Sequence, residues 1–213
     1  MTTITVDDLK SLLALIAEAM TREKDRLCEL DGAIGDADHG IAMELGFSAA
    51  AKAAAALDSA TADPTLVFNT AAKAFLNAVG ASSGPLYATG LMRAGASIKG
   101  KPSLTADDMV DAFTAFAKGI QDRGKAEVGE KTMIDAWVPA AVACQAAREK
   151  GMPLNACFAE ALAAAEIGMQ ATKDMVATKG RSSRLGDRAL GHIDPGAASA
   201  TVVIACFHAF FSS

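Results

Sequence analysis

Aromatic residues make up only 5% of this 213-residue sequence, with a single tryptophan and a single tyrosine. Strands are normally filled by aromatic and β-branched side chains, so the shortage argues against a β-sandwich. Hydrophobic residues still reach 51%. A core built from Ala, Leu, Val, Ile and Met suits closely packed helices. Cysteine is scarce as well: Cys28, Cys144, Cys157 and Cys206 show neither CxxC pairing nor Cys/His metal spacing. The amino terminus, MTTITVDDLK, lacks the basic-then-apolar order of a leader. Both features predict a reduced, cytoplasmic protein. No basic stripe accompanies the net charge of −5, which argues against nucleic acid as a partner. Long apolar runs are missing too. The tail AASATVVIACFHAFF, interrupted by His208, falls short of the about 20 apolar residues that span a bilayer, and reads as a buried helix with no membrane role. Neither GxxxxGK[ST] nor GxGxxG occurs, so a nucleotide site here is neither P-loop nor Rossmann.

What the chain does contain is helical periodicity. Apolar spacing predicts a first helix from Thr5 or Asp7 to about Leu27, with acids in its first turn. The alanine-rich IAMELGFSAAAKAAAAL predicts a second, ending near Asp58. Asp63-Pro64 is a cap followed by proline at the first helical position, starting PTLVFNTAAKAFLNAV. After GASSG a fourth helix, PLYATGLMRAGASIK, follows, and Thr105 caps a fifth. The sixth carries Pro139 as a kink, and the seventh is LNACFAEALAAAEIGMQATKDMVA, running through Ala177. Lys179 to Ile193 shows no sustained helical pattern, and loops of that length are often functional. Asp194-Pro195 repeats the cap-and-proline start for an eighth helix. The expectation is a single all-α domain over residues 1–213, a barrel or bundle of eight antiparallel up-and-down helices.

Alternate connections in such a bundle emerge at one end. The unusual residues occupy alternate connections: DGAIGDADHG, GASSG, RGKAEVGEKT and KGRSSRLGDRALGHIDPG. Asp31, Asp36 and Asp38 are hard oxygen donors on a glycine-rich backbone and suit magnesium carrying a nucleotide. The same residues also fit a solvated turn in which an aspartate caps the second helix. Ser82 and Ser83 precede a helix, where free N–H groups favour a phosphate. GASSG also matches the G-x-S-x-G nucleophile elbow, but that motif requires a strand before it and a helix is predicted there. Arg181, Arg184 and Arg188 could neutralise phosphoryl oxygens, or simply be solvated. Asp194 reads first as a helix cap, with Pro195 and Gly196 able to wall a flat base. Met133 reads first as core.

In order and spacing, IGDADHG, ASSGPLYAT, RGKAEVGEKTMIDAWVP and KGRSSRLGDRALGHIDPGAAS resemble the DhaL family across essentially the whole chain. That family comprises the nucleotide-binding subunits of dihydroxyacetone kinases. The resemblance implies a helical barrel with ADP or ATP at one rim. It implies two Mg2+ ions on Asp31, Asp36 and Asp38, and nucleotide contacts at His39, Gly40, Ile41, Ala42, Ser82, Ser83, Gly124, Met133, Arg181, Asp194, Pro195 and Gly196. Arg181 is implied beside the transferred phosphoryl group. A DhaK-type subunit would hold the ketose, dihydroxyacetone or an erythrulose-like sugar. The phosphoryl source would be ATP or a phosphotransferase-system protein of DhaM type, and a homodimer is compatible with the resemblance. A non-catalytic nucleotide-binding regulator is the alternative. Ala42 stands where the family commonly has asparagine, which removes one amide from the nucleotide's surroundings. Ala81 replaces a glycine, and YAT replaces FGT.

Overall fold

The computed structural model describes residues 3–80 and 83–212. Among these residues it contains eight α-helices: α1 Val6–Ile34, α2 His39–Ala55, α3 Pro64–Val79, α4 Ser83–Ser97, α5 Ala106–Gly124, α6 Ile134–Glu149, α7 Leu154–Ala171 and α8 Pro195–Ser212. Short 3-10 segments, Thr172–Asp174 and Ser182–Ala189, fall in the last connection. Each helix packs on its neighbours in sequence, and α8 returns to α1. The antiparallel ring therefore closes into a barrel.

The helix starts follow the expected capping chemistry. Thr5 and Asp8 form a capping box on α1, and Thr105 and Asp108 form one on α5. The Asp63 carboxylate accepts from the Leu66 N–H at 2.7 Å, and Asp194 accepts from the Ala197 N–H at 2.8 Å. Pro64 and Pro195 follow these two caps, at the first helical position of α3 and α8.

Several boundaries differ from the sequence expectation. Helix α1 continues past Leu27 to Ile34, so Asp31 lies in its last turn rather than in a loop. A helical glycine costs about 1 kcal/mol, and burial of Leu27 and Ile34 two turns apart outweighs the cost of Gly32. Helix α4 begins at Ser83, before Pro85, because proline is tolerated in a first turn whose N–H groups have no intrahelical partner. Helix α7 ends at Ala171 instead of running through Ala177. Pro139 sits inside α6, which continues through it.

The few aromatic side chains are concentrated inside the barrel. Phe47 meets Phe75 at 5.1 Å between ring centroids, Phe116 meets Trp137 at 4.7 Å, and Phe113 meets both Phe158 at 5.2 Å and Phe207 at 5.3 Å. These rings come from α2, α3, α5, α6, α7 and α8, so edge and offset contacts join helices that alanine alone would leave loosely specified. Helix α8 is 18 residues long with a mean hydropathy of 1.4, enough by length and composition to cross a membrane, yet 61% of it is buried in the barrel. It is a core stave. All four cysteines are free thiols, three of them buried.

Candidate functional site

The up-and-down topology brings the amino termini of α2, α4, α6 and α8 to one rim, with the carboxyl ends of the odd-numbered helices between them. A cavity of about 480 Å3 opens there. Helix amino termini carry partial positive charge and free N–H groups, while carboxyl ends carry the opposite. One rim thus offers anchorage to both an anion and a cation.

The cation side is built by the α1–α2 connection. Ligand oxygens of Asp31, Asp36 and Asp38 all lie within 4.8 Å of one another, a donor set of hard oxygens that fits a divalent cation such as magnesium. Asp31 is buried, whereas Asp36 and Asp38 are exposed. Ala37 between them has a left-handed backbone, φ 62°. The Asp31 carboxylate also accepts from the backbone N–H of Asp38 at 3.0 Å and of His39 at 3.3 Å. An aspartate therefore does cap α2, from the end of the preceding helix, and the two readings of this loop prove compatible. The Arg181 guanidinium is paired with Asp36 and lies 3.5 Å from Asp38.

His39 and Ala42 line the cavity. The His39 Nε2 is 2.8 Å from the Ser199 hydroxyl, which donates to the Gly196 carbonyl at 3.0 Å. Burial lowers the His39 pKa below its ordinary value, opposed by the Asp31 charge. Gly40 and Ile41 lie elsewhere. Ile41 is 47% exposed, and Gly40 packs on α1, where a Cβ would stand 2.0 Å from the Lys24 carbonyl oxygen. Gly40→Ala is therefore expected to lower stability by roughly 1–3 kcal/mol through overpacking, read as a fall in melting temperature.

Ser83, Gly124, Met133, Arg181, Asp194, Pro195 and Gly196 all line the same cavity. Ser82 lies outside the described residues. Residues before Gly80 are helical, so the strand that a nucleophile elbow needs is replaced by α3. Leu86, Ile120, Ala126 and Ile134 add apolar lining beside Met133; of these four only Ile120 lies outside the quoted motifs, and none had been given a role.

A buried polar cluster was also not foreseen. Lys131 is only 1% exposed. Its ammonium donates to the carbonyls of Thr172 and, at 2.6 Å, His192. Burial lowers its pKa, opposed by Asp194, Asp135 and Asp174. Asp135 accepts from the N–H groups of Gly129 at 2.5 Å and Thr132 at 2.7 Å. Outside this cluster, Glu130 accepts from the Thr178 hydroxyl at 2.8 Å and pairs with Lys179 at 3.8 Å, tying the two longest rim loops together. A lysine in the charged run GEKT gives no periodic sign of burial, and only its place between glycine and the α6 start could have pointed to it.

Asp194 has its pKa pushed up to about 7, chiefly by burial, with the Ala197 N–H and Lys131 pulling it down. An unfolded aspartate titrates near 4, so between these values the folded protein binds more protons than the unfolded chain, and stability falls as pH rises through that window. Asp194→Asn keeps a cap oxygen for Ala197 without the charge. Its melting temperature, relative to wild type, is expected to be higher at pH 8 than at pH 5.

Comparison with known proteins agrees with this geometry. A family model described as the DAK2 domain matches residues 33–209. The chain is 37% identical over 187 residues to the ADP-binding subunit DhaL of the PEP-dependent dihydroxyacetone kinase of Escherichia coli K12, covering 88% of each. It is 39% identical over 198 residues to the corresponding subunit of kinase 1 of Listeria innocua, covering 92% of this chain and 90% of that one. The fold matches the crystal structure of the dihydroxyacetone kinase from C. freundii in complex with AMP-PNP and Mg2+, with a TM-score of 0.72 and 22% identity. That match covers 94% of this chain and 33% of that enzyme, so this chain corresponds to about a third of it. An eight-helix barrel, an acidic and cationic rim, and identity along nearly the whole length of these subunits meet in one assignment: the chain belongs to the DAK2-domain family, among relatives named DhaL.

Proposed function

We propose that this chain, as one DAK2-type domain, is the Mg-nucleotide-binding subunit of a cytoplasmic short-ketose kinase. It would act with a DhaK-type subunit that holds dihydroxyacetone or a related ketose. The observation that carries the reading is the convergence of Asp31, Asp36, Asp38 and Arg181 with four helix amino termini on one cavity. The relatives are named as ADP-binding subunits, and the structural neighbour holds AMP-PNP and Mg2+.

In this reading the three aspartates hold two magnesium ions, which when bound supply charge neutralisation on the phosphate oxygens. The start of α4, with Ser82 and Ser83, orients the polyphosphate by its N–H groups and hydroxyls, while the Asp38 and His39 N–H groups at the start of α2 hold the Asp31 carboxylate in place. Met133, Leu86 and Ile120 exclude water from the base, against the wall of Asp194, Pro195 and Gly196. Arg181 exchanges its carboxylate partners for the transferred phosphoryl group, whose charge its forked donors disperse. Protein side chains do little covalent work in such transfers. Gly40 packs between helices, and Ile41 is left for the rim's exposed surface.

A reconstituted assay tests the proposal: this chain, a DhaK-type subunit and dihydroxyacetone, supplied either with ATP or with ADP, phosphoenolpyruvate and phosphotransferase-system proteins. Ketose phosphate formed under one of the two regimes is the expected result and identifies the phosphoryl source. Nucleotide binding without transfer under either regime would contradict the kinase reading.

A further inference from the structure

Three chain segments meet on the side of the cavity lined by Met133, Asp194, Pro195 and Gly196: the connection leading into α6, whose Lys131 also lines the cavity, the end of α7, and the residues before α8. Met133 belongs to the first, and Asp194, Pro195 and Gly196 to the third. Lys131 joins all three, because it sits in the first, and its ammonium donates to Thr172 of the second and His192 of the third. The Thr172 hydroxyl extends the connection by accepting from the Asp194 N–H at 2.9 Å, and Gly191 N–H donates to the Lys173 carbonyl at 2.8 Å. The wall is tight, since a Cβ on Gly196 would come within 3.3 Å of the Met133 Cβ.

Two observations indicate that this lysine is held for a purpose. Its backbone is left-handed, φ 59°, a conformation that non-glycine residues adopt at a cost and that clusters at functional sites. Its charge is almost wholly withdrawn from solvent, which requires the carbonyls and carboxylates around it to be in place.

We propose that Lys131 is the positioning residue of the nucleoside side of the site, fixing the Asp194–Gly196 segment against Met133 so that the base meets a preformed slot. The proposal rests on the nucleotide reading above. Lys131 acts through the segments it ties, and among the described residues no hydrogen bond or ion pair joins it to Asp31, Asp36, Asp38, Ser83 or Arg181 on the phosphate and metal side.

That separation gives the test. Titration calorimetry of the full chain with Mg2+-ADP and, separately, with Mg2+-pyrophosphate compares wild type with Lys131→Met and Thr172→Val. Lys131→Met removes both donated bonds at similar length, and Thr172→Val removes the hydroxyl that accepts from the Asp194 N–H and donates to the Met169 carbonyl within its own helix end. Expected is a loss of ADP affinity of about tenfold for Lys131→Met and a smaller loss for Thr172→Val. Pyrophosphate affinity should stay within about twofold for both. Should Lys131→Met not fold, Thr172→Val decides on the same criteria. Parallel loss of ADP and pyrophosphate, or no loss of either, would overturn the positioning role while leaving the nucleotide reading intact. A wild-type chain that binds neither ligand would overturn both.

Discussion

Replacing Asp36 by alanine is expected to weaken magnesium-dependent nucleotide binding by about a hundredfold or more, roughly 3 kcal/mol, while the melting temperature hardly moves. The contrast between the acidic residues makes this variant the informative one. Asp31 is buried and caps α2 through the Asp38 and His39 N–H groups, so its removal would cost stability and confuse the reading. Asp36 is exposed and pairs with Arg181. An exposed ion pair contributes about 0–1 kcal/mol to stability, so little is lost when it goes. A cation held by few carboxylates, however, depends heavily on each of them. Calorimetry with ADP and Mg2+, beside a thermal melt, separates the two effects. Unchanged affinity would remove Asp36 from the site.

Arg181→Ala should produce a different signature. Phosphoryl transfer is expected to fall by about a thousandfold, the scale associated with a cation that stabilises the transferring group. ADP affinity should change much less, because the helix amino termini and the apolar wall remain. Arg181 also pairs with Asp36 and Asp38, the carboxylates proposed to hold the cation. Without nucleotide, Mg2+ should therefore bind Arg181→Ala several-fold more tightly than wild type, since a competing positive charge has gone. Single-turnover transfer measured beside metal titration checks both arms. Weaker metal binding together with unimpaired transfer would contradict the assignment.

The parts of this site that the sequence made legible are those governed by local chemistry. Asp63-Pro64, Thr105 and Asp194-Pro195 marked helix starts because capping acts over three or four residues. The convergence of alternate loops followed from helix count alone. A four-residue run such as His39 to Ala42 hides its geometry for an equally simple reason. Successive helical residues point about 100° apart, so His39 and Ala42 share the cavity face while Gly40 turns to α1 and Ile41 to solvent. Long-range pairings left no mark at all. Lys131 is buried by carbonyls 41 and 61 residues away. Neither distance has a sequence period to announce it.

The most direct test of the central claim is calorimetric titration of the wild-type chain with ADP, once in Mg2+ and once in EDTA. One saturable site per chain is expected in Mg2+, with at least a hundredfold weaker binding in EDTA, about 3 kcal/mol. Equal affinity in both conditions, or no binding in either, would contradict that claim.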